Sequence, residues 1–374
     1  MSISDKVLKN DEKAIFKLRE LYSKYGYSRY KVSKFEEYDL YAGNKSFLIS
    51  ENILTFTDTD GKLMALKPDV TLSIIKNLGD SAKGTHKLYY NENVYRTSAA
   101  SDGFREIMQT GLECIGELDI YAVCEVIMLA RKSLGVISEN NILDISHMGF
   151  LMGLMENVGI EGKDADFLLD CIGHKNIPAI KAFCAERGVS ESDTEDMCAV
   201  TALYAPLSEA LASIRDIVKG EKMRAAYDEL CAVASLIENF GETESIRLDF
   251  STVNDMNYYN GIIFKGFVNG IPDGILSGGR YDSLMQKMGK HTGAIGFAVY
   301  LDLLDRLETG KSRYDVDTVL LYDDESDIRL VAELADKLRS EGKTVRTEYK
   351  STKVRYGELV SVTKEGVKTL EAND

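Results

Sequence analysis

Tyr89–Gly116 reads YYNENVYRTSAASDGFREIMQTGLECIG. Tyr89–Arg96 is aromatic and β-branched, which predicts a strand. Thr97–Gly103 is small and polar, which predicts a turn, and Phe104–Ile115 returns with alternating character as a second strand. Along so long an antiparallel hairpin every second side chain falls on one face. Gln109, Gly111 and Glu113 share a parity, and so do Arg105 and Ile107. Arg96 ends the first strand and Arg105 opens the return. Two guanidiniums at the mouth and two polar groups, Gln109 and Glu113, deeper down suit a small ligand with an anionic end and a cationic end.

The chain around this hairpin has 374 residues, 44% hydrophobic and 28% charged, which is ordinary for a soluble globular protein with one large core and smaller attached units. No apolar run approaches the ~20 residues of a membrane span, and the N-terminal MSISDKVLKNDEK has no apolar signal core. Cys114, Cys124, Cys171, Cys184, Cys198 and Cys231 lack C-x-x-C spacing and read as reduced thiols of a cytoplasmic protein. Four scattered histidines give no metal site, and no cofactor motif is present. The net charge of −15 argues against tight binding of a polyanion such as tRNA, whose affinity comes mainly from Lys and Arg.

From the N-terminus, Asp11–Tyr25 has helical spacing and stops at Gly26. Phe56–Thr71 holds a hairpin signal at Asp60-Gly61, and Pro68-Asp69 then suits the first turn of a helix. Asp119–Gly135 is a helix by spacing. Asn141–His147 is a short strand, in which His147 reads as structural because no ligand partner lies nearby in sequence. Residues 160–238 turn helical and read as an all-α insertion between residues 1–159 and 239–308, the two parts of a β-rich core. Gly278-Gly279 would let backbone approach a ligand closely, Gly293–Val299 reads as a buried strand, and Tyr300–Leu307 as a helix. Thr309–Tyr314 is the expected linker. Residues 315–374 begin as a β-α-β unit of about 60 residues, short beside a typical domain of about 100.

The order of these pieces resembles the class II aminoacyl-tRNA synthetases of the histidyl type. Tyr95-Arg96, a slightly short loop and Arg105-Glu106-Ile107-Met108-Gln109-Thr110-Gly111-Leu112-Glu113 resemble the motif-2 pattern R-x-F-x-Q-x-G-x-E. Leu66–Thr71 resembles the family's L-R-P-E-x-T with aspartate for glutamate. Residues 27–41 resemble the dimer-forming motif 1 without its proline. Tyr258-Tyr259 and Gly278-Gly279-Arg280-Tyr281-Asp282 complete the set. The fold so implied is α+β. It is a mixed, mostly antiparallel sheet flanked by helices, with a helical insertion and a shortened anticodon-binding-like α/β module. The resemblance also implies a histidine pocket of Asp69, Thr71, Arg105, Gln109, Glu113, Tyr258, Tyr259 and Tyr281, beside a nucleotide-pocket remnant of Arg96, Gly278 and Gly279.

Activation of an amino acid needs cations around the triphosphate. Where the synthetases read R-G-L-D-Y-Y this chain has Asn254 in place of the arginine, and where they read G-L-E-R-L it has Leu303. A pocket stripped of those cations resembles the non-catalytic regulatory subunits of ATP phosphoribosyltransferase, paralogues of histidyl-tRNA synthetase. That resemblance implies a homodimer within a hetero-oligomer, with the short-form ATP phosphoribosyltransferase catalytic subunit as partner and histidine as ligand. It implies no catalysis of the chain's own, no tRNA and no membrane. A genuine histidyl-tRNA synthetase and a free-standing histidine-binding paralogue are the alternatives.

Overall fold

The computed structural model describes residues 8–48, 52–78, 84–98, 101–241, 245–253, 258–307 and 313–373. They fall into two compact units, divided between Leu307 and Glu308.

Among the described residues the main sheet of the first unit has nine strands: β1 (Ser28–Arg29), β2 (His86–Ser98), β3 (Ser101–Gly116), β4 (Asn141–His147), β5 (Ala205–Pro206), β6 (Ile246–Leu248), β7 (Ile262–Val268), β8 (Leu276–Arg280) and β9 (Gly293–Tyr300). Their order in the sheet is β1-β2-β3-β9-β8-β7-β4-β6-β5. β1–β2 and β4–β6 are parallel, and the other neighbours are antiparallel. This is the α+β, mostly antiparallel sheet that the motif order implied. The hairpin β2–β3 keeps one register from His86↔Ile115 to Thr97↔Phe104. Its return strand starts at Ser101, earlier than the polar composition suggested. Residues 99–100 lie outside the described set.

Strand alternation divides the sheet's two faces. Leu112, Cys114, Ile145, Phe264, Leu276, Ile295 and Phe297 belong to the main apolar core, together with residues of the helices Asn10–Lys24 and Ile120–Ile137. The second of these helices starts where the Asp119 carboxylate accepts the Ala122 N–H at 2.8 Å. Its Val123, Val126, Ile127, Ala130 and Leu134 form the buried stripe expected at helical spacing. On the opposite face Tyr90 and Val94 pack with Val70, Leu72, Ile74, Tyr281 and Leu284 in a second, smaller cluster. The candidate site lies on this face.

Three local expectations need correction. The helix expected from Pro68 begins at Thr71, because Asp69 stands before it and caps it from outside. The segment after β9 is a 3-10 helix, Leu301–Arg306, whose Leu303 packs on the main core. The insertion is not purely helical. Beside its helices Lys163–Gly173, Ile177–Arg187, Glu191–Ala202, Leu207–Ile214 and Gly220–Asn239 it supplies β5, which pairs with β6 at the sheet's edge, where a proline costs no ladder bond.

In the second unit the strands Val345–Tyr349, Val316–Tyr322, Tyr356–Thr363 and Gly366–Ala372 form a sheet in that order, with the helix Ile328–Ser340 between the two parallel strands Val316–Tyr322 and Val345–Tyr349. The antiparallel hairpin at its end adds to the expected β-α-β unit. Residues 308–312, most of the expected linker, lie outside the described set. Among the described residues no helix is long and apolar enough to cross a membrane.

The helix Asn10–Lys24 is held to the sheet by its buried stripe, so Leu18, which is fully buried, and Phe16, which is 52% exposed, should respond differently. Leu18→Ala is expected to lower unfolding free energy by about 2–5 kcal/mol, and Phe16→Ser by less than about 0.5 kcal/mol, read from urea denaturation midpoints.

Candidate functional site

The register across β2, β3, β9, β8 and β7 sets side chains in rows on one face. Glu113, Gly296 and Gly279 lie side by side in one row, and Gly111, Ala298 and Ser277 in the next. Of these, Gly296, Ala298 and Ser277 floor a hollow, and the larger residues around them make its walls. A cavity of about 440 Å³ results, lined by Asp69, Thr71, Tyr90, Arg96, Gln109, Glu113, Tyr258, Tyr259, Lys265 and Tyr281 among others. Its size is that of a small-molecule site.

Glu113 is buried, 2% exposed. The Thr71 hydroxyl donates to its Oε1 at 2.6 Å and the Tyr281 hydroxyl to its Oε2 at 2.5 Å. A Cβ on Gly296 would collide with that Oε2, so glycine here is what lets the carboxyl lie across β9. Burial pushes the Glu113 pKa up to about 8, against the two donated hydrogen bonds and with a further push from Asp69. Burial also raises Asp69, although Arg96 and the backbone N–H groups of Leu72 and Thr71 pull it down. The Asp69 Oδ1 accepts the Leu72 N–H at 2.9 Å, and its Oδ2 stands 3.9 Å from Arg96 Nη2. Arg96 in turn donates from Nε to the Pro68 carbonyl at 2.7 Å.

Gln109 is 2% exposed and its Nε2 has no hydrogen-bond partner. A buried amide donor left unpaired is costly unless something accepts from it. The rings of Tyr258, Tyr259 and Tyr281 close one side: Tyr258–Tyr259 centroids are 4.5 Å apart and Tyr258–Tyr281 5.9 Å. Burial drives the hydroxyls of Tyr90, Tyr258, Tyr259 and Tyr281 well above the ordinary phenol range, so they stay neutral donors. Among the described residues lining the hollow, the cations are Arg96 and Lys265.

Eight residues picked out from the sequence, Asp69, Thr71, Arg96, Gln109, Glu113, Tyr258, Tyr259 and Tyr281, meet in this cavity. Arg105 does not. It lies exposed near the hairpin tip, and its charge acts on Asp302. Gly278 and Gly279 do not line it either. A Cβ on Gly279 would stand 2.7 Å from the Tyr259 ring, and Gly278 is filled against Phe264 and Phe297, so both serve packing and not ligand approach. Leu303 packs on the core, away from the lining. Asn254 lies outside the described residues. Tyr90, Lys265, Gly296 and Tyr300 were not anticipated. The alternation of Tyr90 with Glu92 and Val94, and the lone lysine of Ile262–Val268, were the signals available for two of them. His147 Nε2 sits 2.9 Å from Glu229 Oε2, and Glu229 also takes Arg280 Nη1 at 3.2 Å, a structural link between the insertion and β8.

Sheet, hairpin and pocket together define a class II synthetase-like protein of the histidyl type, and residues 4–304 match the family model described as Histidyl-tRNA synthetase. A regulatory subunit of ATP phosphoribosyltransferase from Thermoanaerobacter sp. (strain X514) is 32% identical over 339 residues, 88% of this chain and 87% of that one. A crystal structure described as an ATP phosphoribosyltransferase regulatory subunit/histidyl-tRNA synthetase, from Bacillus halodurans, superposes with a TM-score of 0.75 at 25% identity, covering 97% of this chain and 96% of that one. A chain of the ATP phosphoribosyl transferase complex from Thermotoga maritima shares the fold, with a TM-score of 0.62 at 18% identity, over 80% of this chain and 98% of that one. The chain belongs to the family of ATP phosphoribosyltransferase regulatory subunits.

The raised Glu113 pKa has a stability consequence with a definite sign. The folded protein holds a proton that the unfolded chain releases near the ordinary value of 4.5, so the contribution of this group is complete below 4.5 and is lost as pH rises to about 8. Between those values the wild type should lose stability relative to Glu113→Gln, by no more than about 1.4 kcal/mol per pH unit, in urea denaturation at pH 5, 6, 7 and 8.

Proposed function

We propose that this chain is a non-catalytic subunit that holds histidine in the cavity under Tyr258, Tyr259 and Tyr281. By that means it imposes histidine feedback on an ATP phosphoribosyltransferase. Family membership gives it a regulatory role in histidine biosynthesis. The finer reading is that it assembles, as a homodimer within a hetero-oligomer, with the short-form catalytic subunit and is required for that subunit's activity, in the cytoplasm. Regulation of this kind is a linkage: histidine must bind the inhibited assembly more tightly than the active one.

The observation that carries the reading is the pairing of an unpartnered buried donor, Gln109 Nε2, with two buried acids, Asp69 and Glu113, in one hollow. Histidine offers the complement. Its carboxylate accepts from an amide, and its ammonium and imidazole N–H donate to carboxylates. A triphosphate offers only negative charge to a cavity whose two lining cations, Arg96 and Lys265, are turned to other groups. Arg96 is bound to the Pro68 carbonyl and stands against Asp69, and Lys265 Nζ lies 5.5 Å from the centroid of the Phe267 ring. Aminoacylation therefore lacks the charge it needs.

Calorimetry with L-histidine, on the chain alone and with the short-form catalytic subunit, tests the proposal. Binding is expected, weakened about tenfold or more in Glu113→Gln through loss of a charge-assisted hydrogen bond. Because a bound cation pulls down the raised Glu113 pKa, binding at pH 7 should release about one proton, read from buffers of different ionisation enthalpy and lost in Glu113→Gln. No heat in either form would overturn the histidine assignment. Histidine-dependent ATP–pyrophosphate exchange by the purified chain is expected to stay at background, and exchange at an ordinary synthetase rate would overturn the non-catalytic one.

A further inference from the structure

The face that carries the candidate site continues past β7 to the far edge of the sheet, where a second hollow opens between the sheet and the helical insertion. It encloses about 340 Å³ and is lined by Ile142, Asp144, Lys175, Tyr204, Asp249 and Phe267. Asp144 is 6% exposed and its Oδ1 has no hydrogen-bond partner. Arg247 stands directly across from Asp144 in the β4–β6 register, yet its own buried Nε also lacks a partner. An acceptor without a donor and a donor without an acceptor therefore stand on residues paired across neighbouring strands, whose backbones run about 5 Å apart.

The surrounding groups narrow what could satisfy both. Asp249 is 8% exposed, accepts the Ser251 N–H at 2.9 Å and faces Lys175 Nζ at 3.1 Å. The guanidinium of Arg247 lies 4.9 Å from the centroid of the Tyr204 ring and Lys175 Nζ 5.3 Å from it. Lys175 reaches this position from a left-handed backbone conformation, φ 51°, that lysine rarely adopts. Burial, reinforced by Asp249, pushes the Asp144 carboxyl up to about 7, with Lys175, Arg247 and Lys265 opposing. Two carboxyls and two cations leave the hollow near neutrality, which disfavours both a phosphate and a bare metal ion. Ile142 and Phe267 supply an apolar floor, and Tyr204, 44% exposed, stands at the side.

We propose that this hollow is a second small-molecule site, separate from the one under Tyr258 and Tyr259, and that it takes a zwitterionic α-amino acid. The ammonium donates to Asp144 Oδ1, the carboxylate accepts from Lys175 Nζ, and the side chain lies along Tyr204 and Phe267. The site joins strands β4 and β6 to the turn before the helix Ile177–Arg187 and to the segment leading into β5, so an occupant bridges the central sheet and the insertion.

The test uses the full chain and the twenty L-amino acids, each added singly and followed by saturation-transfer NMR, in the wild type and in Glu113→Gln, Asp144→Asn and Tyr204→Ala. At least one amino acid is expected to keep its affinity in Glu113→Gln and to lose tenfold or more in both Asp144→Asn and Tyr204→Ala. Tyr204 is exposed, so its variant reports even if loss of the buried carboxyl unfolds the protein. The proposal is overturned if no amino acid binds apart from what Glu113→Gln abolishes, or if Tyr204→Ala leaves the remaining binding unchanged. Either result would leave bridging water as the partner of Asp144 and Arg247, and neither bears on the histidine cavity.

Discussion

The carboxyl of Glu113, held between the hydroxyls of Thr71 and Tyr281, is the contact on which the candidate site depends. It joins three parts of the chain that are far apart in sequence: the helix that starts at Thr71, the return strand of the hairpin, and the segment after β8. The three meet because β9 passes beneath the carboxyl with a glycine at position 296. Any side chain there would displace it, and with it the hydroxyls that frame the hollow. Burying one acid in this way is unfavourable for its ionised form, so the free pocket holds a nearly neutral carboxyl that a cation can convert.

On the proposed reading, the same arrangement bears on which ligands the cavity takes. A triphosphate would need several guanidiniums or ammoniums aimed inward. Arg96 is spent on the Pro68 carbonyl and the side of Asp69, and Lys265 leans on the Phe267 ring. What remains is a set of neutral tyrosine hydroxyls, one unpaired amide and two buried acids, a polarity that fits an amino acid with a basic side chain. Membership of a regulatory family fits the proposal that this scaffold holds an amino acid and not a nucleotide.

Much of this was legible in the sequence because the hairpin has a period of two. Parity alone put Gln109, Gly111 and Glu113 on one face, and the motif order joined Asp69, Thr71 and the tyrosines to them. Parity does not measure depth, however. Arg105 has the right parity but lies beyond the edge of the cavity, where it acts on Asp302. Gly278 and Gly279 showed that no Cβ was present without showing that tyrosine and phenylalanine rings fill the space. Gly296 enters through its pairing with Glu113 across β9 and β3, a register that no local pattern in the sequence gives. Strand β5 is two residues long, too short for any periodicity to mark it.

A crystal structure of the chain grown with L-histidine and ATP both present at millimolar concentration tests the central claim most directly. Histidine is expected in the cavity, with its carboxylate on Gln109 Nε2 and its cationic groups on Glu113 and Asp69, and with no nucleotide beside it. A triphosphate lying across the Gly296–Ala298 floor would contradict the account.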